Sequence, residues 1–134
     1  MRLWVEDGGR VVLGPSARIA KGCELHAGPG ATITVDGTLD EDCRLSAHAS
    51  ITVEAGARLG TGCAIVDWGP VYGDPERPVR EQGTEAAPVV IAAGALLGPR
   101  AAVLRGVTVG ADALVLAHAV CARDVPAGTE FPSG

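Results

Sequence analysis

From Ile91 onward the chain repeats a six-residue pattern of apolar and polar positions without a gap. The hexads open at Ile91, Leu97, Val103, Val109 and Val115, and Cys121 opens a sixth. The fifth position is small or β-branched each time: Ala95, Ala101, Val107, Ala113 and Ala119. An amphipathic helix needs apolar spacing near 3.6 and a half-buried strand needs 2. A period of six suits short strands joined by bends, each bend returning one side chain to a shared interior. Internal repetition of this kind signals a stacked, solenoid-like architecture.

The first half repeats with a longer period. Leu13-Gly-Pro-Ser-Ala-Arg-Ile19-Ala-Lys-Gly-Cys23-Glu-Leu25 matches Val53-Glu-Ala-Gly-Ala-Arg-Leu59-Gly-Thr-Gly-Cys63-Ala-Ile65, and Leu39-Asp-Glu-Asp-Cys43-Arg-Leu45 lies between them. Cys23, Cys43 and Cys63 fall 20 residues apart, which is three hexads plus two residues. The columns Ile19/Leu39/Leu59 and Leu25/Leu45/Ile65 keep the same spacing. The three cysteines share the small fifth position and predict a ladder of compact apolar groups. Their spacing fits no zinc motif. Parallel side chains and a reducing compartment weigh against disulfides between them. Leu3-Trp4-Val5, turned by Asp7-Gly8-Gly9 into Val11-Val12-Leu13, reads as a capping hairpin that covers one open end.

The repeat predicts one all-β domain over residues 1–134: a capping hairpin (1–13), N-terminal coils (14–66), a loop insertion (67–88), C-terminal coils (89–126) and a tail (127–134). About five coils stacked roughly 4.8 Å apart make a prism roughly 25 Å tall. Composition agrees with this picture. Of 134 residues 47% are hydrophobic but only 3% aromatic, and 19 are glycine. A narrow triangular core stacks branched aliphatics well and would be overfilled by a column of indoles. The net charge of -5, with no basic run, argues against nucleic acid as a general partner. No apolar stretch of about 18 residues is present, and the first residues lack the apolar core of a signal peptide, so a cytoplasmic protein without a membrane partner is expected.

The chain resembles the hexapeptide-repeat acyltransferases, whose fold is a single-stranded left-handed parallel β-helix. The resemblance covers nearly the whole chain. It is most specific over Pro88-Val-Val-Ile-Ala-Ala-Gly-Ala-Leu-Leu-Gly-Pro-Arg-Ala-Ala-Val-Leu-Arg-Gly-Val-Thr-Val-Gly110, which looks like the segment after the active-site loop of sugar and xenobiotic O-acetyltransferases. Ala119-Val-Cys-Ala-Arg-Asp-Val-Pro126 looks like that group's closing motif. The resemblance implies a homotrimer with acetyl-CoA or another acyl-CoA in the groove between two prisms. Arg123 stands where the family places a cofactor-contacting Lys or Arg. Arg100 and Arg105, on successive hexads, and His118 are further candidates for the cofactor, since phosphates call for cationic side chains or backbone amides.

The repeat fails between Val66 and Pro88, where the chain carries Asp74, Glu76, Glu81 and Glu85 against Arg77 and Arg80. A loop this long inside a compact repeat is usually functional. In the family this loop crosses to a neighbouring subunit and borders the acceptor site, and Pro78-Val-Arg-Glu-Gln-Gly83 looks like its exit. Trp68, Tyr72 and Arg80 are the substrate-binding candidates there.

The family carries a histidine shortly after the aspartate that begins the loop, in a pattern close to Asp-His-x-His. That imidazole takes the proton of the acceptor. Here the residues are Asp67-Trp68-Gly69-Pro70, and an indole donates but does not accept. His48, 20 residues before Trp68, is expected beside it on the adjacent coil and is the candidate base, with Asp67 orienting it or the substrate. Its other reading is a surface histidine at a corner. His26 is given no role. The three histidines lack the close pair that the fold's carbonic-anhydrase branch uses, so no metal is expected.

The expected activity is therefore acyl-CoA-dependent transfer, of acetyl foremost, to a hydroxyl or amine of a sugar-like or other small molecule. The attack is expected to be direct, because no serine or cysteine is expected beside a base. Two other readings stand: a non-catalytic trimeric binding or scaffold protein, and an isomerase- or cyclase-type reaction in the same cleft.

Overall fold

The computed structural model describes residues 1–71, 75–78 and 81–132. Parallel strands stack into three walls. The first wall runs through Arg2–Val5, Glu24–Ala27, Arg44–Ala47, Ala64–Val66, Ala102–Val103 and Val120–Cys121. The second runs through Arg10–Leu13, Thr32–Val35, Ser50–Val53, Val89–Ile91 and Thr108–Val109. The third holds Arg18–Ile19, Thr38–Leu39, Arg58–Leu59, Leu96–Leu97, Leu114–Val115 and Glu130–Phe131. Each coil visits the walls in turn, as a three-sided parallel β-helix of the left-handed hexapeptide type requires. Among the described residues there are six turns, one more than the repeat count implied.

The hexad positions explain the interior. First-position Ile91, Leu97, Val103, Val109 and Val115 are all buried, as are Leu25, Leu45 and Ile65 on the first wall. Register is residue for residue: Leu25 opposes Leu45, and Leu45 opposes Ile65. Truncating such a column residue to alanine costs about 2–5 kcal/mol, because a stacked coil cannot collapse into the gap. The cysteine ladder is present. Cys23, Cys43 and Cys63 are fully buried free thiols. Each donates to a carbonyl of the next coil: Cys23 to Asp40 at 3.1 Å, Cys43 to Gly60 at 3.3 Å and Cys63 to Gly98 at 3.2 Å.

Three boundaries differ from the sequence expectation. The N-terminal segment is not a capping hairpin. Arg2–Val5 pairs in parallel with Glu24–Ala27, and Arg10–Leu13 pairs in parallel with Thr32–Val35. The turn at Gly8, with φ of 73°, is real, but it is a corner between two walls. Residues 2–19 thus form the first coil. Among the described residues no coil lies beneath its inward side chains, and Leu3 and Val5 are about half exposed. At the other end the tail contributes Glu130–Phe131 to the third wall, paired with Leu114–Val115. The insertion leaves the prism as an antiparallel ribbon, Trp68–Pro70 against Thr84–Ala86, rather than as an irregular loop. Among the described residues no helix is long and apolar enough to cross a membrane.

Candidate functional site

The edge between the first and second walls carries the chemistry. His48 turns this corner on the third coil, Asp67 and Trp68 on the fourth, Arg105 on the fifth and Arg123 on the sixth. The spacing of 20 places His48 beside Trp68 as expected: their ring centroids lie 4.6 Å apart, tilted by 47°. The imidazole is exposed, and among the described residues no hydrogen bond fixes its ring nitrogens.

Asp67 holds His48 differently from the expectation. Its fully buried carboxylate accepts the backbone N–H of His48 at 2.6 Å and of Ala49 at 2.8 Å. It therefore sets the corner on which the imidazole stands and does not orient the ring. Its backbone carbonyl accepts the Ala87 N–H at 2.9 Å, which closes the foot of the insertion.

Arg105 reaches the ribbon and donates twice to Glu85, at 3.2 and 2.9 Å. A Cβ at Gly69 would lie 2.5 Å from a guanidinium nitrogen of Arg105, so a larger residue there displaces that flexible side chain. The exposed guanidinium of Arg123 lies 5.1 Å from the Phe131 ring centroid. The other two cofactor candidates are on a different edge, between the third and first walls. Arg100 and His118 turn that corner on consecutive coils with φ of 61° and 64°. A groove of about 540 Å³ opens there, lined by Arg100, Arg44, Thr61 and Asp42. The structure thus groups Arg105 and Arg123 with His48, and Arg100 with His118. Of the substrate candidates, Trp68 is half-buried at the foot of the ribbon. Tyr72 and Arg80 lie outside the described residues.

Sequence reasoning missed three residues. The outward positions of the first wall put Trp4 opposite His26, and His26 opposite Ser46. His26 Nε2 lies 2.6 Å from Glu6 Oε2, and its Nδ1 lies 3.5 Å from Ser46 Oγ. The Trp68 indole N–H donates to Ser46 Oγ at 2.9 Å. The His26 and His48 rings meet edge to face, with centroids 6.0 Å apart. His26 is therefore a strand residue in a polar cluster and not an idle bend residue. A serine does sit beside a base, which removes the ground for excluding an acyl-enzyme. The 20-residue spacing of His26 and Ser46 was a readable signal; Glu6 is outside that register, since Trp4 opposes His26.

Among the described residues no group of three or more His, Cys, Asp or Glu side chains converges as a metal would require. Burial pushes the Cys23 and Cys121 thiols up. Cys43 is pushed up as well, by the neighbouring Cys63 thiol and by burial, and Cys63 is drawn down in turn by Cys43.

No family model matches the chain. Over 44 residues it is 50% identical to 2,3,4,5-tetrahydropyridine-2,6-dicarboxylate N-acetyltransferase of Staphylococcus aureus, a match covering 33% of this chain and 18% of that enzyme. The fold is similar to that of AntD, an N-acyltransferase from Bacillus cereus solved with dTDP and 3-hydroxybutyryl-CoA. The TM-score is 0.67 at 14% identity, over 94% of this chain and 76% of AntD. It is also similar to the hexapeptide-repeat acetyltransferase VCA0836 of Vibrio cholerae, solved with acetyl coenzyme A. There the TM-score is 0.55 at 22% identity, over 96% of this chain and 61% of that protein. Together with the unbroken hexads and the three parallel walls, these likenesses make the chain a hexapeptide-repeat protein with the left-handed parallel β-helix fold of these acyl- and acetyltransferases.

Proposed function

We propose that this protein is an acyltransferase that moves an acyl group, acetyl foremost, from an acyl-CoA to an amine or hydroxyl of a sugar-like small molecule. The observation that carries this reading is the edge cluster at the foot of the insertion. His48, Trp68, Arg105 and Arg123 are gathered at one corner of a fold whose solved relatives hold coenzyme A. His48 is the proposed base toward the acceptor. Trp68 offers an apolar ring for a sugar face, with Tyr72 and Arg80 further along the insertion.

The proposed cofactor residues fall on two edges of one prism, on either side of the first wall. A homotrimer reconciles them, because its grooves set the edge of one copy against a different edge of the next. Arg105 and Arg123 of one copy, with Arg100 and His118 of its neighbour, then surround one acyl-CoA. Guanidinium groups suit its phosphates by charge and by bidentate geometry.

The test is calorimetric titration with acetyl-CoA, followed by product analysis over a panel of amino and hydroxy sugars. Saturable binding and acylated product support the reading. Absence of binding heat at millimolar acetyl-CoA overturns it. If binding holds but His48→Ala leaves turnover unchanged, His48 is not the base. Trp68 in the place of the family's histidine favours a second reading, a binding module without catalysis. That reading requires acetyl-CoA or sugar binding with no product from any acceptor.

A further inference from the structure

Beyond the edge occupied by His48, the outer face of the first wall carries an arrangement that the acyl-transfer reading does not use. Glu6, His26 and Ser46 stand on three successive coils, and their polar atoms form a line. The hydrogens of that line can be assigned. The Glu6 carboxylate only accepts, so at 2.6 Å the Nε2 of a neutral His26 carries the hydrogen and its Nδ1 carries the lone pair. The indole of Trp68 only donates, so at 2.9 Å it occupies one lone pair of Ser46 Oγ and turns the hydroxyl hydrogen elsewhere. The remaining partner is His26 Nδ1, at 3.5 Å. This is long for a hydrogen bond, but nucleophile–base pairs are often loose before substrate binds. Carboxylate, imidazole and hydroxyl are in the order that activates a serine, whatever fold presents them. The His26 side chain is 33% exposed, so the line opens to solvent and to a substrate.

We propose that Ser46 is a nucleophile, with His26 as its base and Glu6 as the residue that positions the base, and that it accepts an acyl group from an activated ester or thioester. As Oγ bonds to the acyl carbonyl carbon, its proton passes to His26 Nδ1. The carbon–sulfur bond of a thioester then breaks, and the leaving thiolate takes the proton from the imidazolium. This leaves an ester on Ser46, a neutral imidazole and a free thiol. An amine, hydroxyl or water then attacks the ester. Its proton passes to Nδ1 and on to the departing serine oxygen, which restores Ser46. The inference rests on the acyl-transfer reading for the identity of the natural donor, and it moves the base toward the acceptor from His48 to His26.

The test uses p-nitrophenyl acetate, which reports acylation without any coenzyme A site. The full chain is mixed with the ester, quenched in acid and analysed by intact mass and peptide mapping. One acetyl group per chain on the peptide containing Ser46, with a matching burst of p-nitrophenol, is expected. Ser46→Ala abolishes both. Ser46→Cys places the adduct at the same position as a thioester, which guards against a folding defect in the alanine variant. His26→Asn slows acylation by about 10²–10⁴-fold. Glu6→Gln slows it by a smaller factor and leaves the half-saturating ester concentration unchanged, the signature of positioning. An adduct on Lys21, a cysteine or the N-terminus, or a burst that survives in Ser46→Ala, overturns the proposal. So does the absence of both adduct and ester turnover. Acylation by the ester but not by acetyl-CoA upholds Ser46 and sinks the acyl-CoA reading. Acyl transfer from acetyl-CoA that Ser46→Ala leaves intact does the reverse.

Discussion

The side chain of Asp67 replaces its own backbone in the ladder, taking the His48 N–H at 2.6 Å. One coil earlier the equivalent bond is from the Gly28 N–H to the Ala47 carbonyl. At Asp67 that carbonyl is diverted to Ala87, where the insertion returns, and the carboxylate fills the vacant acceptor positions for both His48 and Ala49. A 22-residue departure from the helix is thereby spliced in without orphaning a buried amide.

Asp67→Asn tests this splice. An amide has only one acceptor oxygen, so its NH₂ must face one of the two N–H donors. The expected loss is about 1–3 kcal/mol, the cost of one unsatisfied buried donor, read from urea unfolding. Asp67→Ala orphans both amides and costs more. Trp68 emission shifts as the foot of the ribbon loosens, while the C-terminal coils keep their far-ultraviolet signal.

Arg105 offers a contrast between stability and binding. Its ion pair with Glu85 is on the surface, with side chains 25% and 56% exposed. Such pairs contribute about 0–1 kcal/mol. Arg105→Ala therefore moves the unfolding midpoint little. If the guanidinium exchanges Glu85 for a phosphate, the same variant weakens acetyl-CoA binding by about tenfold or more, since charge-assisted contacts contribute about 1.5–3 kcal/mol. Thermal unfolding and calorimetry on one preparation separate the two effects.

Arg100 and His118 turn their corner in the left-handed region that glycine occupies at Gly22 and Gly62 in the same column. A side chain there costs about 1–2 kcal/mol. Strain of this kind often marks a functional position. Arg100→Gly is expected to raise the unfolding free energy by about 1 kcal/mol through relief of that strain, and to weaken acetyl-CoA binding. A stabilised variant with unchanged binding removes Arg100 from the cofactor site.

The helix was legible because its interior admits few solutions. A residue that returns to the axis every six positions must be aliphatic, and the one beside the corner must be small. The Cys23–Cys43–Cys63 ladder and the His48–Trp68 contact followed from the same arithmetic. Outward positions carry no such constraint. His26 and Ser46 share a register that the spacing encodes, but their link to Glu6 and Trp68 depends on side-chain directions that no periodicity reports. The first coil was misread because Asp7-Gly8-Gly9 has the chemistry of a tight turn. The same chemistry serves a hairpin and a corner, and only pairing with Glu24–Ala27 and Thr32–Val35 distinguishes them.

The thiols give a pH dependence whose sign can be worked out. Cys23, Cys43 and Cys121 ionise above the ordinary value of 9.0 in the folded chain, and near it when unfolded. Above about pH 9 the unfolded chain has released protons that these folded thiols still hold. Stability is then lost as pH rises, and Cys63, drawn down beside Cys43, offsets part of that loss. The contribution is fully present at neutral pH, where both states are protonated. Urea midpoints measured from pH 7 to 10.5 are expected to fall past pH 9, and Cys43→Ser flattens part of that fall while keeping a donor for the Gly60 carbonyl. In the native state at pH 8, Ellman's reagent labels none of the four buried cysteines on the timescale of minutes, and all four after unfolding. Rapid native labelling of Cys63, the one thiol whose ionisation is drawn down, means that the ladder opens locally and that the fourth coil is less closed than its packing indicates.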